Sequence, residues 1–282
     1  MLGTLIIVFR EVIEAGLVVG IVLAVTRGLP GRGWWVSLGI LAGVIGASIV
    51  AAFAGAISNA FEGSGQELLN AGILLVAVLM LMWHNAWMAS HGREMAAELK
   101  AVGRSISTGE RPPVALAVVV GVAVLREGSE IVLFLYGIVA AGTSAASMLL
   151  GGVLGLALGA VVAALGYFGL AAIPTRYIFR VTTGLISLLA AGLAAQAMQF
   201  LTQAGTVDVL GDQVWDTSGI LEENSMVGRV LHTLVGYMDR PTELQILAYV
   251  TTLVLMVLLM WIAGSGHRKG HEAGKPGSVQ AA

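Results

Sequence analysis

No cysteine occurs among the 282 residues. Disulfides, thiolate metal sites and iron–sulfur ligation are therefore excluded, and any metal must be held by oxygen or imidazole. Charge is also scarce, at 11% of residues against ~25% in a soluble domain. What replaces it is apolar: 57% of residues are hydrophobic, 38 are glycine, and the mean hydropathy is +0.89. A globular core has no room for this much apolar surface, so the composition predicts an all-α polytopic membrane protein. Water-soluble enzymes and nucleic-acid binders are excluded, which leaves membrane lipid and small ions as the first partners to consider.

Breaks at charged, Gly and Pro clusters delimit seven spans: Leu2–Val25, Trp34–Ala56, Leu68–Ala89, Val114–Ala141, Ala146–Ile173, Tyr177–Leu201 and Ile246–Ala263. All approach or exceed the ~20 residues a crossing needs. None has the alternation of a barrel strand, so all are predicted as helices. Span one is too long for the apolar region of a cleavable signal, and no Ala-x-Ala site follows it. The predicted organisation is one transmembrane unit, 1–263, followed by a disordered cytoplasmic tail, 264–282.

The net charge of −2 hides a segregation along the chain. Arg27, Arg32, Arg93, Lys100, Arg104, Arg111, Arg176, Arg180, Arg268, Lys269 and Lys275 fall on one set of alternate loops, while the other set has only Arg229 and Arg240. The positive-inside rule then predicts a cytoplasmic C-terminus and an external N-terminus. In the cytoplasmic loop Gly92–Ser107, an apolar stripe of Met95, Leu99, Val102 and Ile106 fits an interfacial helix or a solvated connector. The external loop 202–243 holds Asp208, Asp212, Asp216, Glu222, Glu223, Asp239 and Glu243 against its two arginines. This is either a vestibule that concentrates cations or a solvated surface.

Two spans carry charges that lipid does not tolerate. Span one contains Arg10-Glu11-Val12-Ile13-Glu14 and span four contains Arg126-Glu127-Gly128-Ser129-Glu130. Glu11 follows Leu2 by nine residues, which is ~14 Å into a ~30 Å hydrocarbon core. Each charge costs at least ~2.5–3.5 kcal/mol there, so the six together oppose insertion by roughly 15–20 kcal/mol if they face lipid. They must face the bundle interior. Glu11 and Glu14, like Glu127 and Glu130, are i,i+3 neighbours on one helix face. Four carboxylates against two guanidiniums leave two uncompensated negative charges, which a hard polyvalent cation such as Fe(III), Mn, Mg or Ca would neutralise. Alternatively Arg10 pairs with Glu14, Arg126 pairs with Glu130, and the other two carboxyls are protonated.

The chain also repeats. Gly39, Gly43, Ala47 and Ala51 match Gly151, Gly155, Gly159 and Ala163 at an offset of 112, at which Gly72 and His84 align with Gly184 and Gln196. Residues 2–89 and 114–201 are thus predicted as an inverted 3+3 repeat, with residues 246–263 as a seventh helix. Inverted repeats place a substrate site at their interface near the midplane. The small-residue stripes are predicted helix contacts. Weaker polar signals are His84, as a ligand, proton relay or hydrogen-bonded packing residue near the cytoplasmic end of span three; Gln196 and Gln199; and Glu67, as an entry ligand or an ordinary helix start.

These motifs, with the external Trp215-Asp216-Thr217-Ser218 and Gly236-Tyr237, resemble the oxidase-dependent iron transporters. That family includes the fungal high-affinity iron permease and the bacterial elemental-iron uptake permease. The resemblance covers all seven spans. It implies iron import across the cell (inner) membrane, with Glu11, Glu14, Glu127 and Glu130 as iron ligands, Arg10 and Arg126 as supporting charge pairs and Asp216 within an entry motif. Iron would be the transported substrate, with no permanently bound cofactor and no enzymatic activity. The resemblance further implies a periplasmic or extracellular iron-oxidising partner, here a separate protein because no long N-terminal extracytoplasmic domain precedes span one. Oligomerisation is compatible with it. Two alternatives remain: an intramembrane di-metal carboxylate enzyme, although no Glu here has the His three residues later that such centres use, and a transporter or exporter of another divalent metal.

The basic asymmetry makes topology testable. Tags after Gly264 and within Gly92–Ser107 should be cytoplasmic and a tag within 202–243 external. External protease cutting the Gly92–Ser107 segment in intact cells would reverse the assignment.

Overall fold

The computed structural model describes residues 1–60, 65–169 and 175–272. They form eight helices: α1 (Leu2–Val25), α2 (Arg32–Ala60), α3 (Gln66–Ser107), α4 (Val114–Ala140), α5 (Ala145–Tyr167), α6 (Thr175–Gln203), α7 (Met226–Val235) and α8 (Glu243–Glu272). Among the described residues no strand forms, and a single isolated bridge joins Gln213 to Thr242. Segments of α2, α3, α5, α6 and α8 are long and apolar enough to cross a membrane. Helices α1 and α4 are 24 and 27 residues long, and what sets them apart is the Arg-Glu-x-x-Glu charge within each. Leu41, Ile49 and Phe53 on α2, Leu149 and Val153 on α5, and Val257 and Trp261 on α8 are exposed. Apolar faces of this extent belong to a molecule surrounded by lipid.

Helices adjacent in sequence are not the closest neighbours. The most extensive packing joins α1 to α5 and α2 to α4, and glycines make it possible. Gly151 lies against Met1 and Thr4, Gly155 against Leu5 and Phe9, Gly159 against Phe9 and Val12, and Ala163 against Gly16. On the other side Gly39 meets Ala117 and Val120, Gly43 meets Gly121 and Val124, and Ala47 meets Gly128. Contacts climb both helices of each pair in the same order, so α1 runs parallel to α5 and α2 parallel to α4. Exchanging α1, α2, α3 for α4, α5, α6 maps one close pair onto the other, and the matching small-residue stripes do matching work. α1 and α4 also touch, as do α3 and α6.

Two apolar clusters fill the interior at different levels. One gathers Ile7, Leu74, Leu81, Phe134, Ile138 and Ile186 with residues of α6 and α8. The other gathers Val22, Val36, Ile106, Leu116 and Val120. Along α1, α3 and α4 alike, the residues between these clusters include every charged side chain of the interior.

Three expectations need correction. The stripe Met95–Ile106 is helical but not a separate element: it continues α3, a single helix of 42 residues. Ile106 is buried against Val22, Val36 and Leu116 with Leu99 and Val102 beside it, because the ends of α1, α2 and α4 offer this stripe a protein surface in place of lipid. Ser107 Oγ also donates to Val25 O at 3.2 Å. The tail after Ala263 is helical through Glu272 as part of α8. An existing helix gains one hydrogen bond per added residue, which outweighs the ~1 kcal/mol propensity cost of each glycine there; residues 273–282 lie outside the described residues. The loop 202–243 contains a helix, α7, capped by Ser225 Oγ accepting from Gly228 N at 3.0 Å. Span five was expected to run to Ile173; α5 ends at Tyr167, and residues 170–174 lie outside the described residues.

A Cβ at Gly155 would sit 2.6 Å from Leu5 O and 3.0 Å from Phe9 N, whereas one at Gly72 would have no atom within 4 Å. Gly155→Val should therefore separate α1 from α5 at a cost of ~1–3 kcal/mol and lower both membrane abundance and thermal midpoint. Gly72→Ala should be neutral or slightly stabilising, measured by the same two assays.

Candidate cation site

Side chains three residues apart share a helix face, and α1 and α4 turn these faces toward each other. Arg10, Glu11, Glu14 and Glu127 are all buried to 5% exposure or less, while Glu130 and Arg126 are 15% and 34% exposed. Within each motif the i,i+4 pair forms: Arg10 Nε lies 2.9 Å from Glu14 Oε1 and Arg126 Nε lies 3.1 Å from Glu130 Oε1. The second is a hydrogen bond. The first lacks hydrogen-bond alignment and is a Coulombic contact. Arg10 Nη1 to Glu11 Oε1 is 3.6 Å, and Arg126 Nε to Glu127 Oε1 is 3.8 Å. The arginine–glutamate pairing expected of a purely structural motif is thus present, yet it leaves carboxylate oxygens over. Both oxygens of Glu11 and Glu14, with Glu127 Oε2, are buried without a hydrogen-bond partner. Orphaned anionic oxygens in an apolar interior are costly, and a cation would satisfy them.

His84 completes the cluster. Sequence position places it near the end of span three, but α3 continues, and His84 stands level with both motifs at 3% exposure. Its Nε2 is 3.6 Å from Glu14 Oε2, and its Nδ1 contacts Glu130 Oε2, so one imidazole touches both motifs. Two overlapping groups of possible ligand atoms result, each within 4.8 Å: Glu11, Glu14 and His84, and Glu11, Glu127 and Glu130. The Arg126 guanidinium rests over the Trp87 ring, 4.2 Å from its centre, a cation–π contact. Beside it a cavity of about 650 Å³, lined by Leu79, Trp83, Trp87, His84, Arg126 and Glu130, opens between α3 and α4. Trp87 was not singled out in the sequence, although its i,i+3 spacing from His84 places it on the same face. Buried Asn85, whose amide atoms also lack partners, is a further polar residue of this stretch.

The other sequence candidates lie elsewhere. Glu67 is exposed in the first turn of α3, where a carboxylate favours the helix dipole. Gln196 donates to Ala141 O at 3.1 Å. Asp216 belongs to a tied cap formed by the segment between α6 and α8. Its Oδ1 accepts from Ser218 N at 3.0 Å and Ser218 Oγ at 2.6 Å, and Arg240 Nε lies 3.1 Å from its Oδ2. Thr217 Oγ1 shares a 2.7 Å hydrogen bond with the Tyr237 hydroxyl, which donates to Leu221 O at 2.9 Å. Gly236, at φ +69, closes onto Gly192 of α6. The Trp215–Ser218 and Gly236–Tyr237 signatures are thus two halves of one folded cap. Asp208, Asp212, Glu222 and Glu243 remain exposed around it.

The hydrogen bonds from Ser218, with Arg240 nearby, hold the Asp216 carboxyl below its usual range. A depressed folded-state value contributes stability above the ordinary carboxylate range and loses it only as pH falls through that lowered value. Protease resistance of the cap should therefore stay constant from pH 7.5 to 5, and Asp216→Asn should reduce it at both values.

Residues 1–267 match the model of the Iron permease FTR1 family. The ferrous iron permease EfeU of Yersinia pestis is 27% identical over 260 residues, covering 91% of this chain and 92% of that protein. The protein of the same name from Escherichia coli O6:H1 is 29% identical over 255 residues, covering 88% and 91%. No solved structure matches.

Proposed function

Since the chain belongs to the iron permease FTR1 family, we propose that it imports ferrous iron across a prokaryotic inner membrane through the buried site formed by its two Arg-Glu-x-x-Glu motifs. The observation that carries this reading is the convergence of Glu11, Glu14, Glu127 and Glu130 with unpartnered oxygens. Four carboxylates and two guanidiniums sum to two negative charges, and a histidine that binds a metal does so as the neutral imidazole, so the set is the complement of one divalent ion. The ferrous names of the relatives agree with that arithmetic. The exposed carboxylates around the cap would draw cations toward the entrance, an effect screened beyond a Debye length of ~8 Å at physiological salt.

Transport needs the site to reach each side in turn. In this reading α1–α3 and α4–α6 are inverted repeats, α8 is the seventh crossing, and the N-terminus is external with the C-terminus cytoplasmic. The parallel pairs α1/α5 and α2/α4 and the exchange relation between them support it, because helices of opposite repeats then cross in the same direction. Apolar clusters on either side of the site make this an occluded arrangement. Rocking one repeat against the other would open one cluster at a time. Iron is cargo here, with no resident cofactor and no chemical step. Family membership favours this carrier over a di-metal enzyme or a transporter of another metal.

Substitution separates charge from reach. Glu→Gln at position 11, 14, 127 or 130 keeps size and removes an anionic ligand, so each should cut iron uptake at least tenfold at unchanged membrane abundance. Arg10→Lys and Arg126→Lys, which lose the planar fork but keep the charge, should impair uptake less. Normal uptake by the Glu11→Gln, Glu127→Gln double variant, measured with labelled iron in proteoliposomes, would discard the site.

A further inference from the structure

His84 brings an imidazole among the oxygens of the site, and its setting is specific. The ring is buried and held edge-on to Phe134, with centroids 6.5 Å apart and planes at 89°. Its Nδ1 lies against Glu130 Oε2. A metal-bound imidazole is neutral, and an ionised carboxylate only accepts, so when an ion is bound the remaining ring hydrogen belongs on Nδ1 against Glu130 and Nε2, on the Glu14 side, is the nitrogen free to bind it. A carboxylate holding the far nitrogen of a histidine is the usual support of a metal-bound imidazole. Ligands ~2.1 Å from a small divalent ion lie up to ~4.2 Å from one another, so the 4.8 Å spread of the Glu11, Glu14 and His84 atoms needs little contraction to enclose one.

We infer that His84 Nε2 is a ligand of the transported ion, completing a Glu11–Glu14–His84 triad oriented by Glu130, and that this nitrogen determines which divalent ions the permease accepts. The inference rests on the carboxylate site proposed above and deepens it. Carboxylates alone suit Mg²⁺, Ca²⁺ and Mn²⁺, whereas imidazole adds preference for Fe²⁺ and the later first-row ions. Such discrimination is needed where hard divalent ions are abundant. The nitrogen is supplied from one side only. At the repeat-related position stands Gln196, whose amide is engaged with Ala141 O. The second group, Glu11, Glu127 and Glu130, is all carboxylate, so the two halves of the site differ in ligand chemistry and not in charge alone.

The competing role for His84 is a cross-link that ties Glu14 to Glu130 without touching the ion. The two roles separate in the full-length protein in proteoliposomes, with Fe²⁺ uptake competed by Mg²⁺, Ca²⁺ and Co²⁺. For His84→Gln a tenfold or greater rise in the KM for Fe²⁺ is expected, with a smaller change in maximal rate. Co²⁺ should weaken as a competitor, and Mg²⁺ and Ca²⁺ should strengthen. His84→Glu restores a ligand of the wrong kind, so it should transport but be inhibited by Ca²⁺. Pulsed EPR of Cu²⁺ bound to the unaltered protein should show coordinated imidazole nitrogen at a signal that vanishes in both Glu11→Gln and His84→Gln. If His84→Gln does not accumulate, the comparison between the unaltered protein and Glu11→Gln still decides. An unchanged KM and ion ranking in His84→Gln beside an inactive Glu11→Gln would overturn the role of His84 and leave the carboxylate site standing. So would the lack of a Glu11-dependent nitrogen signal. Normal uptake by Glu11→Gln would remove both.

Discussion

Four glutamates and two arginines inside an apolar bundle must be compensated within the bundle, since each would cost at least ~2.5–3.5 kcal/mol facing lipid. That requirement shapes the helices around them. α1 and α4 turn their charged faces inward and α3 supplies His84 between them, while the outward faces of α2, α5 and α8 are left largely apolar. Ion pairing alone does not close the account, because two arginines satisfy only part of eight carboxylate oxygens and, Glu130 Oε2 beside His84 apart, the remainder lie buried without donors. A buried cluster with surplus anionic oxygens suits a cation, and the imidazole of His84 against two of the carboxylates is the group proposed to set which cation.

Holding so polar a layer in place demands backbones that approach closely. Glycine and alanine stripes on α2 and α5 let α4 and α1 come close enough for carbonyl oxygens to lie where side chains would otherwise stand. Without an aqueous hydrophobic effect between helices in lipid, this close packing is the main adhesive force available. Since each stripe binds a helix of the other half, the two halves are interlaced, and the motifs of α1 and α4 meet at the seam between them.

The apolar clusters on either side of that seam bear on transport. One contains Ile7, Phe134 and Ile138 and the other Val22, Leu116 and Val120, so α1 and α4 each run from one cluster through the charges into the other. Tilting either helix relative to its neighbours would thin one cluster while compressing the other. The long α3 passes through both clusters, and the cap between α6 and α8 is fastened to α6 through Gly192 and Gly236.

Much of this was legible in the sequence because lipid imposes simple rules. Backbone groups must pair within each segment, so apolar runs became helices, and the boundaries of α1 and the start of α4 fall where hydropathy alone placed them. Charges cannot face lipid, so Arg10, Glu11, Glu14, Arg126, Glu127 and Glu130 had to meet inside. Periodicity also marked the small-residue stripes, but not which helix each would grip, because a stripe of glycine fits any close neighbour. Choosing α5 for α1 and α4 for α2, joining the Met95–Ile106 stripe to α3, folding α7 and setting His84 level with the two motifs were decisions of the tertiary structure. Each depends on where a surface lies in space, which hydropathy and spacing along a single chain do not encode.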